Sequence, residues 1–122
     1  MAESTQFGWH WTGADAEGRP CLSVYDAEGV RLSTPGAPVV PGEWLRVEGE
    51  VRACRRGLHW SWRALDALHF APGVWLHRIE ASAPVEESAG KCVSAARRAL
   101  ASADMLPALP EFARQCAVRA DA

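Results

Sequence analysis

Residues 51–80 change hydrophobic period twice, and this stretch constrains the fold more than any other. Val51 and Ala53 continue an alternation that begins at Leu45 and Val47. Period two marks a strand with one face turned inward. Arg55, Arg56 and Gly57 break the alternation, and Gly57 supplies the φ freedom of a tight turn. Ser61 carries a hydroxyl suited to capping the first amides of a helix. Trp62, Leu65 and Leu68 then recur at helical spacing. Pro72-Gly73 stops that helix, and residues 74–80 return to strand-forming types. The stretch reads as strand, turn, short helix, strand.

The flanks extend the pattern. Phe7, Trp9 and Trp11 alternate with Gly8, His10 and Thr12, which predicts a first strand with the aromatic face buried. Residues 13–20 form a turn, and 21–26 a second short strand. Pro35, Pro38 and Pro41 make 33–42 irregular or an edge. Residues 43–54 carry the cleanest alternation and predict a central strand beside 74–80. Val93, Ala96 and Leu100 predict a helix over 91–102, and Pro110 suits the first position of a last helix. Strands first and helices last predict α+β: a small, mostly antiparallel sheet, one embedded short helix and C-terminal helices. The expectation is one domain over 1–122, with the sheet in about 6–80 and a helical tail in about 91–120.

Charge and composition narrow the function. A net charge of −2 with no dominant basic stripe argues against nucleic-acid binding. No apolar run is long enough to span a bilayer, and the N-terminus lacks a basic and apolar leader, so the cytoplasm is expected. Cys21, Cys54, Cys92 and Cys116 show no Cys-x-x-Cys or zinc spacing, so no disulfide and no metal are expected. Six tryptophans against one tyrosine mean that indole rings must build either the core or an interaction face.

Few residues have the look of catalysis. His59 lies between the turn and the helix, where an imidazole can serve as acid, base or ligand. His77 reads as a core-edge histidine beside Trp75 and Ile79. Glu48 and Glu50 share the polar face of one strand and read as solvated charges. Arg97-Arg98 reads as the wet side of a helix. No phosphate loop or nucleophile elbow occurs.

At Cys54, Gly57, Leu58 and His59 the chain resembles a family of small uncharacterised domains of bacteriophages and prophage-bearing bacteria. The likeness runs over about 40–118 and includes residues 64–68, Pro72-Gly73, Lys91 and the Leu-rich tail. It implies a phage- or prophage-type protein with no settled activity. The span from Gly57 to Ile79 is also similar to the core of ADP-ribosyltransferases, which implies nucleotide handling with His59, His10 and Glu48 or Glu50. Such enzymes place a catalytic glutamate on a late strand, whereas this chain reads as ending in helices.

These readings lead to a non-enzymatic binding module that docks on a host or defence protein. Its expected binding residues are Arg56, His59 and Trp60, with Trp60 displaced from the helical stripe and presented to the partner. No catalytic residue, metal or cofactor is expected. The alternative is a nucleotide-handling enzyme with an ADP-ribosyltransferase-like core. A pocket holding several of the titratable residues would favour the enzyme, and a flat patch of aromatic rings and arginines would favour the binder.

Overall fold

The computed structural model describes residues 4–28, 30–48, 57–68 and 70–120. Among the described residues, eight strands and two helices follow one another: β1 (Thr5–Ala14), β2 (Pro20–Cys21), β3 (Leu45–Arg46), β4 (Leu58–Trp60), α1 (Ala64–Leu68), β5 (Trp75–Ser82), β6 (Glu86–Ser88), β7 (Lys91–Ser94), β8 (Ala96–Asp104) and α2 (Leu109–Ala120). They build a five-stranded sheet of order β2-β1-β5-β8-β3 and a three-stranded sheet of order β4-β7-β6. Every pairing is antiparallel. The fold is α+β, as the sequence predicts. No helix among the described residues is long and apolar enough to cross a membrane.

The two sheets are stitched together along the edge of β1. Trp9 and Ser61 exchange both backbone hydrogen bonds at 2.8 Å, which carries the chain after β4 onto the larger sheet. Between the sheets lies a core of Trp60, Ile79, Ala81 and Cys92. Gly8 makes this packing possible. A Cβ placed there would sit 2.3 Å from Cε3 of Trp60 and 2.6 Å from the Ser61 carbonyl oxygen. The inward face of β1 is therefore the one that bears Gly8, His10 and Thr12. Phe7, on the other face, is 48% exposed, while Trp11 is buried and donates from Nε1 to the Ala64 carbonyl. The alternation does mark a strand, but tertiary packing buries its small and polar side more evenly than its aromatic side.

Two local expectations hold. Gly57 has a φ of 146°, open to glycine and strained for other residues, just before β4, while Arg55 and Arg56, the rest of the expected turn, lie outside the described residues. The helix α1 ends before Pro72-Gly73. Ser61 does not cap it; its backbone is used by Trp9, and the first helical bond runs from Ala67 N to Arg63 O.

Two larger expectations need correction. The described part of 43–54 contains only β3, a two-residue edge strand on β8, and the remainder of that alternation, with Val51 and Ala53, lies outside the described residues. β5 is flanked instead by β1 and β8, which offer it eight and seven register pairs. The expected helix over 91–102, and with it a helical tail from 91, is replaced by β7 and β8. Their alanines and arginines favour helix in isolation, but β8 is paired on both sides, by β5 and β3, and long-range pairing overrides that preference.

The tail that is helical stands apart. No residue of α2 is buried, and Phe112 and Val118 are 40% and 54% exposed. A chain that ends at Ala108 should therefore unfold within about 1 kcal/mol of the full-length protein, because a helix that buries little adds little. Urea denaturation of the truncated chain checks this, and a loss of several kcal/mol would mean that α2 docks on the sheets.

Candidate functional site

A cleft of about 270 Å³ opens where β1, β4, α1 and the loop after β2 converge. Its floor and walls combine cations, imidazoles and rings. His10 and Trp11 come from β1, Tyr25 from the loop, His59 and Trp60 from β4, Lys91 from β7 and Arg97 from β8. Phe70, after α1, closes one side, with the Lys91 ammonium 4.7 Å from its ring centre. No aspartate or glutamate among the described residues lines the cleft.

Arg97 is the centre of this arrangement. It is 5% exposed, which is unusual for an arginine. One guanidinium nitrogen donates to the His59 carbonyl oxygen. No carboxylate among the described residues forms an ion pair with it. Among the described residues no buried side-chain nitrogen or oxygen lacks a partner, so the remaining Arg97 donors open onto the cleft and the adjoining void, both of which Arg97 lines. Burial lowers its pKa to about 10, with the Tyr25 phenol pulling the other way, so it stays charged at neutral pH.

The imidazoles respond in the opposite sense to a carboxylate-rich site. Burial first, and then Lys91 and Arg97, lower His59 to about 4. His10 is held well below the ordinary imidazole value by burial, then by Arg97, His77, His59 and Lys91. His77 falls to about 4 through burial and Arg97. All three rings are neutral at neutral pH. His77 is locked from both ends, with Nε2 2.8 Å from Thr12 Oγ1 and Nδ1 2.7 Å from Ser102 Oγ. That network is satisfied within the protein and fixes the ring beside His10, its register partner across β1 and β5.

Of the expected site residues, His59 lines the cleft and is half-buried. Arg56 lies outside the described residues. Trp60 is not a projecting ring. It is 1% exposed, donates to Ser94 Oγ at 2.9 Å and meets Trp62 edge-on at 4.5 Å. It braces the cleft from behind as part of the core, and the expectation of a displaced, exposed ring is corrected. The exposed partner is Trp62, whose Nε1 donates to Glu87 at 2.7 Å.

Lys91 and Arg97 were missed as site residues because their segment reads as helix. Its strand character would have revealed one of them. In a strand, neighbours point to opposite faces, so an Arg-Arg pair in an interior strand must turn one guanidinium inward. Arg97 is that one; Arg98 points out and pairs with Glu80 at 2.6 Å. His10, considered only for an enzyme, does share the cleft with His59, whereas Glu48 is exposed and does not line it. The described cysteines do not enter the site's chemistry. Cys92 is buried, and its thiol is pushed up to about 11 by burial and Glu87, which keeps it protonated and inert.

No protein-family model, curated protein or solved structure matches this chain.

The far side of the larger sheet has a different character. Arg78 lies 4.8 Å from the ring centre of Trp9 and 5.8 Å from that of Phe7. Across the sheet, Arg98 and Arg46 lie 4.9 Å and 5.6 Å from the ring centre of Trp44. Glu80 joins the two groups, accepting from Thr5 and Arg98, and these bonds hold its carboxyl below the usual range. The result is a partly exposed surface of rings and guanidinium groups.

Proposed function

We propose that this protein is a binding module of the phage or prophage type, which docks on a host or defence protein through the outward face of its larger sheet. The observation that supports it is the stacking of Arg78, Arg98 and Arg46 on Phe7, Trp9 and Trp44. Such rings bury large area with little side-chain entropy to lose, and arginine is the charged residue that tolerates the centre of an interface. The guanidinium groups select a partner surface that supplies carboxylates around an apolar patch. The resemblance at Cys54, Gly57, Leu58 and His59 supports the phage or prophage setting.

The test is capture from lysate of a prophage-bearing bacterium, followed by direct titration of the purified captured protein and cross-link mapping. The double variant Arg78→Glu with Arg98→Glu should weaken that binding by at least about tenfold. Cross-links should fall on β1, β5 and β8. Unchanged affinity in the double variant, or cross-links confined to the cleft side, would exclude this face.

The nucleotide-handling reading keeps one specific support: His10 and His59 share a cleft. The missing element is a catalytic carboxylate, since no glutamate among the described residues lines it. On that reading the cleft binds, and any turnover requires a group from outside the described residues.

A further inference from the structure

The cleft on the opposite side from the docking face has the chemistry of an anion receptor. Three features point the same way. Arg97 is buried with unshared donors, a state that costs desolvation without a carboxylate in the described protein to offset it. Lys91 adds a second positive charge at the same opening, and the His59 and His10 imidazoles and the Tyr25 hydroxyl supply hydrogen-bonding groups around it. No described acidic side chain lines the cleft to repel an anion.

Size and shape narrow the class. A volume of about 270 Å³ is on the scale of a small ligand such as a sugar phosphate or mononucleotide rather than of a folded peptide. A guanidinium presents parallel N–H groups that match two oxygens of a phosphoryl group. Phe70 offers an apolar wall beyond the charged floor. We infer that the cleft binds a small organic phosphate, with its phosphoryl oxygens on Arg97 and Lys91 and its carbon skeleton against Phe70. This requires no catalysis and no partner protein, so it stands or falls separately from the docking face.

Calorimetric titration of the full chain at neutral pH tests it, with adenosine monophosphate, ribose phosphate, adenosine and inorganic phosphate as probes. At least one of the two phosphate esters should bind saturably with Kd below about 1 mM. Adenosine should bind at least about tenfold more weakly than adenosine monophosphate, and inorganic phosphate should compete with the bound ester. Lys91→Glu, at the half-exposed rim, should weaken the ester by about tenfold or more while the thermal midpoint of the ligand-free protein moves only a few degrees. Arg97→Lys should also lose binding; if it fails to fold, Lys91→Glu decides. The inference is overturned if neither ester binds, if adenosine binds as tightly as its phosphate, or if Lys91→Glu binds like the parent protein. A phosphoserine peptide that outcompetes both esters would also overturn it, in favour of a protein ligand.

Discussion

Replacing Trp60 with alanine should lower stability by about 4 kcal/mol, which corresponds to a fall in thermal midpoint of roughly 10–20 °C. The ring is 1% exposed and sits between two sheets with Ile79, Ala81 and Cys92. Its truncation removes contacts on every side, and Gly8 has no side chain with which to refill the space. Ser94 would also lose the indole donor at 2.9 Å, although its own hydroxyl still donates to Ser82 O. Two companions separate these contributions. Trp60→Phe keeps most of the volume and should cost about half as much, largely from the lost hydrogen bond and the smaller ring. Gly8→Val attacks the same contact from the other strand, since a Cβ there collides with both the ring and the Ser61 backbone. It should be as damaging as Trp60→Ala. A Trp60→Ala midpoint within about 2 °C of the parent would show that the ring carries no core load.

Acid should destabilise this protein well before its carboxylates titrate. His77 and His59 have folded pKa values of about 4, against an ordinary imidazole value of 6.5. Above pH 6.5 both rings are neutral in the folded and unfolded states, and their contribution to stability is constant. Between 6.5 and about 4 the unfolded chain binds protons that the folded chain refuses, so stability falls with decreasing pH. Below about 4 both states are protonated and the loss levels off for these groups. His77, fully enclosed, should contribute on the order of 2 kcal/mol. His59 should contribute less, because it faces the cleft and solvent screens it. His10 acts in the same direction. Urea midpoints between neutral pH and mild acid read the effect, and His77→Gln should remove its share of the slope. A flat profile through that window, or an unaltered slope in His77→Gln, would mean that these rings accept protons without strain.

Both predictions depend on which side of a strand faces inward, and sequence alone gave only part of that answer. Local rules were enough for the strand at Phe7, Trp9 and Trp11, the backbone freedom used at Gly57 and the helix stop at Pro72-Gly73. Each depends on spacing or on one residue's backbone preference. The two-residue reversal between β6 and β7 had no such signature, because it places Ala89 at φ 51° as well as Gly90 at φ 78°. The buried face of β1 could not be read locally. Three aromatic rings looked like the obvious inner side, yet the inner side is where Gly8 admits Trp60 from a residue half the chain away.

The same limit explains the cleft. His10, His59, Lys91 and Arg97 are scattered through the chain, and no spacing rule links them. Alanine-rich residues 91–104 have helical preferences of a few tenths of a kcal/mol each. The hydrogen-bonding edges of β5, and of β3 beyond it, outweigh that sum and draw the segment into the sheet. Once it is a strand, period two must turn one of Arg97 and Arg98 inward. The sequence by itself determined the strand that carries Phe7, Trp9 and Trp11, the helix stop at Pro72-Gly73 and the return to strand after it. Only the tertiary structure decided that a buried guanidinium meets three neutral imidazoles, because that depends on sheet order, and sheet order is set by long-range pairing rather than by neighbours in sequence.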